Sequence, residues 1–117
     1  MIVTAWNNGE HHESGSGYGL RVDKRDRDRY FRREWGSVVL HLQGRAEPVI
    51  ANIDKNSFWS SECRELISRE IGQWLRVNNM APWHTDHPPK LIMEPTGANE
   101  FAVYSQGFVT TEERKKT

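Results

Sequence analysis

Residues 61–77 read SECRELISREIGQWLRV. Cys63, Leu66, Ile67, Ile71, Trp74 and Leu75 recur at three- and four-residue spacing, with Arg64, Glu65, Ser68, Arg69, Gln73 and Arg76 between them. A helix with 3.6 residues per turn sorts these into an apolar and a polar face, so the pattern predicts one long amphipathic helix over 61–77. Ser60 or Ser61 can cap its start, and Glu62 suits the positive end of its dipole. Asn78 and Asn79, with Pro82 soon after, stop it. Cys63, on the apolar face, reads as a core residue. Such a helix needs a surface to lie on, and the flanking chain must supply it.

That surface reads as a sheet. Residues 2–6 form a first strand. Residues 18–22 form a second, with Tyr18, Leu20 and Val22 on one face and Gly19 and Arg21 on the other. The two make a hairpin joined by a long glycine-rich loop, NNGEHHESGSG. Residues 37–43 and 49–53 give a second hairpin across the turn GRAEP, and residues 90–94 and 100–104 a third across PTGAN. A short charged helix is expected between Asp26, as N-cap, and Gly36 just beyond its end, with Phe31 and Trp35 facing the core together. The order is β-β-α-β-β-α-β-β. It predicts an α+β fold: a mostly antiparallel sheet of five to six strands in hairpins, with the long helix packed on one face. Residues 1–109 then form a single domain, with Phe108 and Val109 still packing, and residues 110–117 a frayed polar tail.

The totals bound the function. The chain has 117 residues, 16 basic and 16 acidic. Zero net charge speaks against a dedicated nucleic-acid protein and removes the solubility that charge confers, so a homodimer is expected. A single cysteine, Cys63, excludes an intramolecular disulfide and points to a reducing compartment. The opening MIVTAWNNG lacks the basic and apolar regions of a signal peptide, and no stretch has the length of a membrane span. A cytoplasmic protein without membrane association is expected. Five tryptophans must supply much of the buried area.

Three constellations can carry function. The opening loop holds His11 and His12 and ends on Tyr18. Its GSGYG is no dinucleotide fingerprint, because Leu20 stands where the next glycine is due and a strand follows instead of a helix. The loop reads as a hairpin connection, or as a mobile flap over a pocket bordered by Trp6, Trp59 and Trp83. The second, His84, Asp86 and His87, has zinc-ligand chemistry if a further residue from the opening loop or Glu94 completes it. The run His84-Thr85-Asp86-His87 resembles part of the HxHxDH motif of metallo-β-lactamase-type hydrolases. Pro82 stands where that motif has its first histidine, and the family's layered fold needs a far longer chain. The third, residues 21–35, interleaves Arg21, Lys24, Arg25, Arg27, Arg29, Arg32 and Arg33 with Tyr30, Phe31 and Trp35. Arginines among aromatics can grip phosphates and stack on bases, but Asp23, Asp26, Asp28 and Glu34 sit among them, as in a solvated, ion-paired face.

No GxSxG elbow, phosphate-binding GxxxxGK[ST] or Glu-x-Lys nuclease pair is present. The leading expectation is a small non-enzymatic binding or interaction protein with an aromatic-lined cleft or dimer interface, its partner a small molecule or a protein, and with no cofactor. Nucleic-acid binding through residues 21–35 and metal-dependent hydrolysis through His84, Asp86 and His87 are the alternatives.

Overall fold

The computed structural model describes residues 1–84 and 86–105. The tail at 110–117, and the packing expected of Phe108 and Val109, lie outside the described residues. In chain order the elements are β1 (Ile2–Asn7), β2 (Tyr18–Val22), α1 (Lys24–Tyr30), β3 (Ser37–Leu42), β4 (Val49–Asn52), α2 (Asn56–Trp59), β5 (Glu65–Ile67), α3 (Arg69–Val77), β6 (Lys90–Pro95) and β7 (Glu100–Ser105). A 3₁₀ turn, Arg33–Trp35, precedes β3.

The seven strands form one sheet in the order β4-β3-β7-β6-β1-β2-β5. Every pairing is antiparallel except β3 with β7, which is parallel. The sheet curls until its edge strands β4 and β5 approach each other, giving a nearly closed barrel with short helices. The expected α+β sandwich of five to six strands under a long helix is therefore corrected to a seven-stranded mixed barrel.

The error lies in residues 61–77. The long helix does not form there; the stretch divides into β5 and α3. Ser68 is the divider: its side chain accepts from the Glu70 backbone N–H at 3.2 Å, an N-cap that starts a helix at Arg69. Ahead of it, Arg64 takes a φ of 84°, incompatible with a continuing helix. Glu65, Leu66 and Ile67 instead pair with Arg21, Leu20 and Gly19 and satisfy the free edge of β2. Leu66 thus enters the core from a strand while Ile71, Trp74 and Leu75 enter it from a helix. A three-residue strand followed by a nine-residue helix leaves the same three- and four-residue spacing as one helix. Ile67 breaks the expected apolar face, being exposed, and Glu65 breaks the polar one, being buried.

The first helix also differs from expectation. It starts three residues earlier, capped by Asp23 rather than Asp26, and ends at Tyr30. Phe31 is already extended, and its ring stacks on Phe101 with centroids 4.8 Å apart. Phe58 tilts against Phe31 at 5.3 Å and Phe101 pairs with Leu40 of β3, while Trp74 of α3 donates its indole N–H to the Gln43 carbonyl just past the end of that strand, at 2.7 Å. The inward residues of the strands, among them Val3, Leu20, Leu40, Leu91, Met93 and Val103, fill the space between. No helix among the described residues is long and apolar enough to cross a membrane.

Candidate functional site

The opening loop is hydrogen-bonded to α3. Arg76, near the end of α3, donates from Nε to the His12 carbonyl at 2.9 Å and from Nη2 to the His11 carbonyl. Gln73 donates to the Ser14 carbonyl at 3.2 Å. Gly15 lies directly on Gly72 of the helix: a Cβ added at Gly72 would come 2.1 Å from the Gly15 oxygen. Loop and helix touch through bare backbone, which only glycine allows. Arg76 was expected on the solvent face of the long helix; its partners lie 64 and 65 positions away, so local pattern could not name them.

The same arginine organises a side-chain relay. Its Nη2 lies 3.4 Å from the Tyr18 hydroxyl, which is 2.7 Å from His11 Nδ1. A guanidinium only donates, so the Tyr18 oxygen accepts from Arg76 and its own hydrogen is left to give to Nδ1 of the His11 tautomer that carries hydrogen on Nε2. Burial, and then the nearby Arg76 charge, hold the His11 pKa below its ordinary value. Tyr18 is raised, its burial outweighing the opposing effects of the Arg76 charge and hydrogen bond.

His11 also meets Trp83. Their rings are edge-to-face with centroids 4.8 Å apart, and Tyr18 and Trp83 lie at 5.6 Å. Trp6, on the outward face of β1, completes a cleft of about 340 Å³, whose lining includes Thr4, Asn7, His11, Arg21 and Trp83. Trp6, His11 and Trp83 are each half-buried. The opening loop and the segment after α3 therefore come together, at Trp83. Other hollows, of about 300 and 400 Å³, lie beside Trp74, whose indole N–H is already bonded to Gln43.

The remaining candidates fall elsewhere. His12 is exposed and pairs with Glu10 at 2.8 Å. Trp59 packs edge-on against Phe58 and donates to the Ile53 carbonyl at 2.8 Å. His84, Asp86 and His87 are exposed, and the described residues contain no group of three or more His, Cys, Asp or Glu placed to hold a metal.

The basic segment is split by the fold. Arg27 is buried, donates to the Phe58 and Ser60 carbonyls at 3.0 and 2.6 Å, and lies over the Trp59 ring. It ties α1 to α2. Lys24 pairs with Asp28, Arg32 with Glu34 and Arg33 with Asp54, while Arg29 lies over Tyr30. Arg25 is exposed. Arg21 alone of the seven lines the aromatic cleft. Sequence reasoning missed Thr4 and Asn7 as cleft residues. Thr4 was legible in the alternation Ile2, Thr4, Trp6, which places the three on one face of β1.

No family model, curated protein or solved structure matches the chain. The class is thus defined by geometry alone: a small, nearly closed seven-stranded barrel with an aromatic cleft on its outer wall.

Proposed function

We propose that the chain is a small, non-enzymatic binding protein that receives a planar ring in the cleft between Trp6 and Trp83. The observation that carries this reading is the convergence of Trp6, His11 and Trp83, from three separate segments, around one cavity. Both indoles are half-buried and line the cavity, and planar ligands stack on indole surface with a useful free-energy gain. In the tautomer that accepts from Tyr18 at Nδ1, His11 offers an Nε2–H donor, so the favoured ligand presents an acceptor at its ring edge. The polar lining of Thr4, Asn7, His11 and Arg21 contains no carboxylate or thiol, which suits recognition better than catalysis.

The ion pairing of Lys24, Arg32 and Arg33 and the burial of Arg27 argue against residues 21–35 as a phosphate grip. The exposed large apolar side chains Ile2, Ile50, Ile67 and Val77 sit on four different elements, so the reading leans on the cleft rather than on a dimer face. Tryptophan fluorescence titrated with a panel of heteroaromatics (adenine, guanine, cytosine, uracil, nicotinamide, indole) tests it. Saturable quenching by at least one is expected, weakened about tenfold or more in Trp83→Ala and in Trp6→Ala. Binding unchanged in both variants would remove the cleft from the account.

A further inference from the structure

The cleft continues past Trp6. A second cavity of about 490 Å³ shares Thr4 and Arg21 with it and is lined further on by Arg64, Lys90, Asp23 and Asp26. The strand register explains its chemistry. Lys90 on β6 pairs with Thr4 on β1, and Thr4 pairs with Arg21 on β2. The three stand in one row across the outer face of the barrel, a short hydroxyl side chain between two long cations. Strands about 4.8 Å apart set the two cationic Cα atoms roughly 10 Å from each other, which leaves room for one tetrahedral anion above the threonine. Among the described residues Lys90 has no ion-pair partner, and Arg21 is engaged only through Nε, 3.5 Å from Glu65. Its two terminal nitrogens are free to form a bidentate grip on an oxyanion.

We infer that the ligand is a nucleoside monophosphate, its base between Trp6 and Trp83 and its phosphate over Thr4 between Lys90 and Arg21. The inference rests on the cleft reading and adds to it the class of ligand. Thr4 and Trp6 are alternate residues on one face of β1, so the anion row and the ring row are about 7 Å apart. A sugar spans that interval. Gly19 stands opposite Trp6 on β2 and presents no side chain that would crowd the indole. Asp23 and Asp26 also line the second cavity and repel further negative charge, which favours one phosphate over a polyphosphate or a long strand.

The test compares adenosine, guanosine, cytidine and uridine with their 5′-monophosphates at low salt, by tryptophan fluorescence. At least one monophosphate is expected to bind about tenfold or more tightly than its nucleoside. That advantage should shrink to roughly threefold or less in Arg21→Gln and in Lys90→Gln, the latter with unchanged thermal melting, and should fall with salt in the parent protein. Equal affinity of nucleoside and monophosphate would overturn the anion seat and leave the ring cleft standing. Failure of every nucleoside and nucleotide would overturn the ligand class, while the heteroaromatic panel still decides the cleft. A single-stranded pentanucleotide binding about tenfold more tightly than any monophosphate would overturn the free nucleotide in favour of a strand.

Discussion

Two aromatic clusters lie on this barrel, and they differ in what backs the rings. Phe31, Phe58 and Phe101 stack and tilt against one another at 4.8–5.3 Å and are at most 5% exposed. His11, Tyr18 and Trp83 approach almost as closely, at 4.8–5.6 Å, yet His11 and Trp83 keep part of their surface on an open cavity that Trp6 also lines. The first cluster is enclosed on all sides by the barrel and its short helices. The second has Arg76 and the glycine contact behind its loop and, among the described residues, a cavity in front. Ring content alone does not separate a core from a binding site; the surface left bare does.

The sharpest way to break the comparison is to truncate one ring from each cluster. Phe58→Ala should cost about 3–5 kcal/mol in denaturant unfolding, because it removes a fully enclosed ring. Trp83→Ala should cost less, about 2 kcal/mol, while weakening ring binding about tenfold or more, since part of its surface already faces water. Equal costs would mean that both clusters are core. Next in size is the backing of the open cluster. Gly15→Ala combines a φ of 90° with a Cβ 2.4 Å from the Arg69 oxygen, and should cost about 2–3 kcal/mol. Gly9→Ala, with a similar φ but nothing within 4 Å of its Cβ, should cost only about 1 kcal/mol. Thermal melts of the pair separate contact from backbone strain.

Smaller again is Ser68→Ala. Loss of the N-cap on α3 should cost about 1 kcal/mol, and equilibrium unfolding measures it. A helix running unbroken over 61–77 would show no such cost. The subtlest effect is that of pH. The His11 pKa is lowered in the folded protein, by burial first and the Arg76 charge second, so the fold favours the neutral ring. Its contribution is therefore present above the unfolded value of about 6.5 and is lost as pH falls through the lowered folded value. Protonation places a hydrogen on Nδ1, which then no longer accepts from Tyr18, and ring binding should weaken across the same window. An NMR titration of His11 should show a midpoint below 6.5, moving upward in Arg76→Gln; a midpoint at or above the ordinary value would remove the relay.

Much of the sheet was legible because alternation is local. Val38, Leu40 and Leu42 announce β3, and Tyr18, Leu20 and Val22 announce β2, in single windows of sequence. β5 was hidden because its three residues fit the helical period of their neighbours, and only the free edge of β2 gives them a reason to extend. The parallel pairing of β3 with β7 joins segments about sixty residues apart, and no local signal encodes it. In the site, Trp6, His11, Tyr18 and Trp83 stood out by residue type. Their convergence did not, because it depends on Arg76 and Gly72 reaching back across the fold. Arg21 was read with the charged run that follows it, though β2 turns it to the outer face beside Thr4.

The indole N–H resonances test the central claim most directly. Trp59 and Trp74 donate to the Ile53 and Gln43 carbonyls, at 2.8 and 2.7 Å, and are committed to the fold. Trp6 and Trp83 border the cleft. In a ¹⁵N-labelled protein titrated with the heteroaromatic panel and the nucleoside monophosphates, the signals of Trp6 and Trp83 should shift together and saturate, while those of Trp59 and Trp74 stay in place. Shifts confined to Trp59 and Trp74, or no saturable shift at Trp6 and Trp83 with any compound, would contradict the account.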